Sequence, residues 1–178
     1  KIGLIAGEGK MPVYIAQKAA AKGYEVYVAG AKGNAKEEDY KDCARVFKLF
    51  RLGQLGAGIR FFKENGVTRV IMAGRVQHTA IFSNLMPDLR GAKFLASLKN
   101  MQTKNILSRV MDEFKKDGIE FEHSALFLED FMPSKGVLSA RRPTEEETQT
   151  VAFGYKTAKA VAALDIGLTC VVSQSAVI

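Results

Sequence analysis

Apolar residues fall in short runs separated by glycine-centred breaks, and the spacing within the runs alternates between strand-like and helix-like. Ile2 to Ala6 is uninterrupted and apolar, the pattern of a strand covered on both faces in a parallel sheet. Gly7, Glu8 and Gly9 break the chain. Pro12 suits a first helical turn, where its missing amide hydrogen would go unpaired anyway, and Val13 to Lys22 is predicted helical with Gly23 as its stop. Tyr24 to Ala29 is the second predicted strand and Arg45 to Leu49 a third. Gln54 to Glu64 reads as an amphipathic helix ended by Asn65-Gly66, followed by a strong apolar strand from Val67 to Ala73. Two further helices, 91–99 and 101–117, flank Asn100, and Ile119 to Glu122 reads as another strand. This alternation predicts an α/β domain built on a parallel sheet.

From Phe131 to Pro143 the texture becomes turn-rich, which predicts a boundary between a domain at 1–130 and a second unit at 131–178. Thr144 with Glu147 three residues on is a capping-box signature for a helix reaching Ala163. Leu168 to Val172 is strand-like, and Ser173-Gln174-Ser175 reads as a hairpin turn into Ala176, Val177 and Ile178. A hairpin whose second arm has just begun buries little, so this smaller α/β unit is expected to be incomplete.

Composition narrows the class. Of 178 residues, 47% are hydrophobic and 25% charged, which fits a globular protein and excludes a disordered or fibrous one. No apolar run approaches the roughly 18 residues of a spanning helix, and the first residues lack the pattern of a secretory signal, so a cytoplasmic location is expected. Two cysteines, Cys43 and Cys170, without CxxC spacing give no framework for disulfides or zinc. The formal net charge of +7 favours anionic partners, among them a phosphorylated substrate, an acidic membrane and nucleic acid, without choosing between them.

Several segments have the chemistry for an anion. Gly7, Gly9 and Lys10 lie between a strand and a helix, where backbone amides and the positive helix end hold phosphate. A nicotinamide dinucleotide would need a carboxylate at the end of the second strand, where this chain has Val28-Ala29-Gly30-Ala31-Lys32-Gly33, so that oxidoreductase reading is disfavoured. Gln54 enters its helix from a glycine-containing loop and has groups for a base or sugar, although from the residues alone a plain loop-to-helix turn is the favoured explanation. Gly74, Arg75 and His78 follow a strong strand, at the sheet edge where ligands collect; Arg75 suits a phosphate, and His78, like His123, has no identifiable partner. Lys104 and Asn105 begin a helix, as Arg141, Arg142 and Thr144 do, and Arg141-Arg142 beside Pro143 have no evident structural duty. No serine elbow, HExxH motif or Walker loop is present, so neither a nucleophile nor a metal cage is derived.

The segments 3–12 (GLIAGEGKMP), 51–56 (RLGQLG), 72–76 (MAGRV), 86–90 (MPDLR), 136–138 (GVL), 141–144 (RRPT) and 163–167 (ALDIG) together resemble the LpxI family, in the family's order and over nearly the whole chain. The resemblance implies a Rossmann-like amino-terminal domain, a distinct carboxy-terminal domain, and substrate held in the cleft between them. It implies hydrolysis of UDP-2,3-diacylglucosamine to UMP and 2,3-diacylglucosamine 1-phosphate (lipid X) in lipid A biosynthesis, with water attacking the α-phosphorus and Mg2+, or another divalent ion such as Mn2+, assisting. Carried over by position, the substrate-facing residues are Gly9, Lys10, Gln54, Gly74, Arg75, Asn105, Arg141, Arg142 and Thr144. The family's catalytic aspartate, in a Glu-Gly-Thr-Asp segment, is expected beyond Ile178. The implied setting is cytoplasmic and peripheral to the inner membrane, with no nucleic-acid partner and with a homodimer allowed. The alternatives are a non-catalytic nucleotide-sugar-binding module and an NAD(P)-type oxidoreductase.

Overall fold

The computed structural model describes residues 1–76, 86–98, 103–174 and 176–178, without the side chains of 103–105. The chain divides into two compact units, Lys1–Phe131 and Met132–Ile178.

In the first unit, strands β1 (Ile2–Ala6), β2 (Val26–Ala31), β3 (Ala44–Phe50), β4 (Arg69–Ala73) and β5 (Glu120–Phe121) form one sheet in the order β3-β2-β1-β4-β5. Every pairing is parallel. Alternate residues of the central strands feed opposite faces, which is why those strands read as unbroken apolar runs. Ile2, Leu4, Val26, Val28 and Ile71 join Ile15, Ala16 and Ala19 of helix α1 (Lys10–Ala21) in one core cluster. Tyr27, Ala29 and Val70 join Ile59, Phe61 and Phe62 of α2 (Leu55–Glu64) in the other, with Phe114 of α4 (Thr103–Lys115). Burying a side chain as Phe62 and Ile71 are buried contributes on the order of 1.5–3 kcal/mol each.

The predicted elements are present, with shifted ends. α1 starts at Lys10 rather than Val13, because the left-handed backbone of Gly9 (φ 115°) ends the turn and lets the helix begin at once. β2 runs from Val26 to Ala31 rather than from Tyr24 to Ala29. Tyr24 is still held by the α1 terminus, its amide donating to Ala19 O at 3.1 Å, and pairing with β1 begins at Ile2↔Val26. The helix expected at 91–99 is α3 (Leu89–Ala96). Its start is fixed by Asp88, whose carboxylate accepts from the amides of Gly91 and, on α2, Ala57, each at 2.8 Å. Arg90 then ties α3 to α4 through Glu113 at 3.1 Å and through Asp117, which also binds Lys63 of α2 at 2.9 Å.

In the second unit, α5 (Glu145–Ala163) opens with the capping box read from the sequence: Glu147 N donates to Thr144 Oγ1 at 3.2 Å, and Thr144 N donates to Glu147 Oε2 at 2.8 Å. The hairpin is shorter than expected and displaced by a residue or more. β6 (Val172–Ser173) pairs antiparallel with β7 (Ala176–Val177), so Ser173 belongs to a strand rather than to the turn, and 168–171 is not strand. Val172 packs on Gly154 of α5, and Cys170 Sγ donates to Gly154 O at 3.4 Å. No described residue of this unit is fully buried.

Candidate functional site

In the order β3-β2-β1-β4-β5 the chain winds outward in one direction from β1 to β3 and in the other from β4 to β5, so the reversal lies between β1 and β4. Crevices at such reversals, outside the carboxyl ends of the strands, are where open α/β sheets bind ligands. Here that place is lined by Gly7 to Lys10 after β1 and by Gly74 and Arg75 after β4.

Those two segments are stitched together. Glu8 N donates to Arg75 O at 2.8 Å and Arg75 N to Glu8 O at 3.0 Å, an isolated antiparallel bridge beyond the parallel ladder. Gly7 N donates to Ala73 O at 2.9 Å. The approach leaves no room for side chains: a Cβ at Gly7 would lie 2.7 Å from Arg75 O, and one at Gly74 would lie 2.7 Å from Pro12 Cγ and 2.8 Å from Gly7 C. Gly74 also takes φ 90°, a left-handed conformation that glycine adopts without strain. The two glycine segments singled out from the sequence are therefore one structure.

Helix α1 meets this crevice with its amino terminus. The N-cap is Gly9, no side chain caps it, and its first turn contains no acidic residue but does contain exposed Lys10. An uncapped helix start with a lysine beside it is an anion-attracting arrangement, because both the unpaired amides and the helix dipole favour negative charge. Arg75 brings a guanidinium to the same crevice, with Nη2 3.5 Å from Glu8 Oε2. Glu8 was not among the residues singled out. Its position in the glycine turn was visible, but its proximity to Arg75 depends on β4 lying next to β1, which no local pattern announces.

The remaining candidates are distributed differently. Gln54 is the N-cap of α2, and its Oε1 accepts from Arg51 N at 2.8 Å while its own amide donates to Arg51 O at 3.1 Å, so the side-chain oxygen closes its own loop. His123 likewise serves its own turn, with Nδ1 accepting from Ala125 N at 3.1 Å. Asn105 lies in the first turn of α4, and its side chain, like that of Lys104, lies outside the described residues, as His78 does altogether. β2 ends at Ala31 and is followed by Lys32, so the tip where a dinucleotide ribose would meet a carboxylate is basic.

In the second unit, the expectation that Arg141 lacks a structural duty is corrected. Its guanidinium donates through Nη1 and Nη2 to the two oxygens of Glu147, both at 2.8 Å, and so braces the capping box of α5. Hydrogen bonds from the Arg141 guanidinium, and then from the Thr144 amide, hold the Glu147 carboxyl down at about 2. Thr144 is occupied as the cap itself. Arg142 makes no ion pair among the described residues. The two arginines also face different hollows of this unit. Arg141 lines one of ≈ 940 Å³ with Leu138, Thr144 and Val172, and Arg142 one of ≈ 620 Å³ with Ser139 and Pro143. Among the described residues, no group of three or more His, Cys, Asp or Glu side chains is gathered to hold a metal, and no helix is long and apolar enough to cross a membrane.

Comparison with known proteins adds the ancestry of this arrangement. Residues 1–131 match the LpxI N-terminal domain and residues 134–178 the LpxI C-terminal domain. A curated relative from Caulobacter vibrioides, named UDP-2,3-diacylglucosamine pyrophosphatase LpxI, is 32% identical over 182 residues. That match takes in 100% of this chain and 63% of the relative's length.

Proposed function

The chain belongs to the LpxI family, and from that premise we propose that it binds UDP-2,3-diacylglucosamine for hydrolysis to UMP and 2,3-diacylglucosamine 1-phosphate, lipid X, a step of lipid A biosynthesis. The observation that carries this reading is the uncapped amino terminus of α1, with Lys10 in its first turn, beside Arg75 at the reversal point of the sheet. In the proposed role, the first amides of α1 and the Lys10 ammonium hold the diphosphate, and Arg75 offers paired donors to its oxygens. Fixed cations there offset charge that builds on the bridging oxygen as its bond to the α-phosphorus breaks. Water supplies the oxygen of the new bond, leaving UMP on one side and the sugar 1-phosphate on the other.

A divalent ion enters this proposal as a companion of the diphosphate. The described side chains do not form a protein cage for one, whereas magnesium is commonly held by one or two carboxylates together with substrate phosphates. Because the substrate carries two acyl chains, the proposed place of action is the cytoplasmic surface of the inner membrane, and the formal net charge of +7 favours anionic lipid there. Salt-sensitive sedimentation with anionic vesicles, absent with neutral ones, is the expected behaviour; equal binding to both would count against it.

The test is a pair of measurements with UDP-2,3-diacylglucosamine and Mg2+: binding by titration calorimetry, and UMP release by phosphorus NMR. Lys10→Met and Arg75→Met should each weaken binding by about tenfold, the loss of one charge-assisted contact. Binding unchanged in both variants would remove the site from the account. Measured on a chain as long as the relative, of which this one spans 63%, binding without UMP release would favour the nucleotide-sugar-binding module over the hydrolase.

A further inference from the structure

Glu8 has no part in the function proposed above, yet it sits against a residue that does. Its backbone is locked to Arg75 by the reciprocal hydrogen bonds of 2.8 and 3.0 Å. Its Oε2 lies 3.5 Å from Arg75 Nη2, close enough for an ion pair, and that oxygen is shielded from solvent and accepts no hydrogen bond among the described residues. The Arg75 side chain is otherwise open, at 76% exposure, against 40% for Glu8. A long, solvated arginine loses considerable rotamer freedom when it is fixed on a ligand, so a neighbour that restricts it beforehand lowers the cost of binding.

We propose that Glu8 is a positioning residue, whose carboxylate holds the Arg75 guanidinium at the mouth of the β1/β4 crevice in readiness for a diphosphate. The geometry suits this task better than direct contact with ligand. A carboxylate facing a diphosphate would repel it, whereas a carboxylate behind an arginine orients the positive group. The main-chain bridge matters because it fixes both Cα positions, leaving the Arg75 side chain as the part for the carboxylate to restrain. The glycines at 7 and 74 permit that bridge, since a Cβ at either would meet the opposite backbone at 2.7–2.8 Å.

This inference rests on the proposed diphosphate site, and two readouts separate its failure from the failure of that site. The first needs no ligand: the Arg75 Nε–H resonance is followed by nitrogen relaxation in the whole chain and in Glu8→Gln, which keeps the shape and the main-chain bridge. Arg75 Nε–H should be ordered with Glu8 and mobile with the glutamine. The second is a double-mutant cycle with UDP as the probe. Glu8→Gln should weaken UDP by roughly two- to fivefold, the range of an exposed ion pair, and should cost nothing further in an Arg75→Met background. Unchanged Arg75 relaxation in Glu8→Gln, or a loss of affinity that adds in full to that of Arg75→Met, would overturn the positioning role. UDP binding that ignores Arg75→Met would instead overturn the site, and the relaxation arm would still decide whether Glu8 restrains Arg75.

Discussion

At Gly74 the backbone holds φ 90° while Pro12 and Gly7 stand within 2.7–2.8 Å of any added Cβ. Gly74→Ala therefore combines a left-handed alanine with a collision against backbone that has no freedom to retreat. A loss of about 1–3 kcal/mol is expected by urea unfolding, together with broadening of the Glu8 and Arg75 amide resonances. Gly9→Ala provides the control. Gly9 shares the left-handed backbone but faces open space, so its cost should be the smaller. Glu147 makes stability depend on pH. Its folded pKa of about 2 lies below the ordinary 4.5, so the stability it contributes is complete above the ordinary value and is lost as pH falls through the folded one. Carboxyl carbon shifts should place its titration near 2 in the whole chain, and Arg141→Met should move it upward. The opposite sign belongs to Tyr40, which burial pushes up to about 12. Its contribution is present below 10 and lost as pH rises through 12, so ultraviolet titration should lose its latest-ionising component in Tyr40→Phe.

Among the elements, α3 shows how a cap can also serve as a clamp. Burial alone would raise the Asp88 carboxyl, but amides of Gly91, Ala57, Gly56 and Arg90 outweigh it and hold the group below the ordinary value. Asp88→Ala strips an acceptor from two helices at once and should cost about 1–2 kcal/mol, with amide exchange rising at Ala57 and Gly91 together; Asp88→Asn should recover part of the loss. The same elements show what was legible beforehand. β1, α2 and β4 were readable because each carries its own periodicity and stop, and the start of α5 because a capping box is a local signature. The MPDLR segment was recognisable as a motif, but its aspartate acts on α2, more than 30 residues earlier in the chain, and no local rule connects the two. Arg141 was read as a candidate ligand for a similar reason: its partner Glu147 lies across the helix start, and the pairing depends on the path of the chain from the bend at 139–141 into that helix. The pairing of the two glycine segments around β1 and β4 was the least visible feature, since strand order is decided by packing rather than by either segment.

Over the whole molecule, cohesion is unequal. The first unit has two core clusters on opposite faces of a five-stranded sheet, whereas the second has no fully buried residue among those described, with Leu168, Ile166 and Tyr155 all exposed. A protein cut to residues 1–131 should unfold cooperatively in urea, while 132–178 alone should show no cooperative transition. In the proposed function, the amides at the start of α1, with Lys10 and Arg75, form the diphosphate site. Its most direct test is amide chemical-shift mapping of UDP on the isotopically labelled chain. The largest changes are expected at Gly9, Lys10, Met11, Gly74 and Arg75, saturating together. Saturable changes confined to other residues, with these five unmoved, would contradict it.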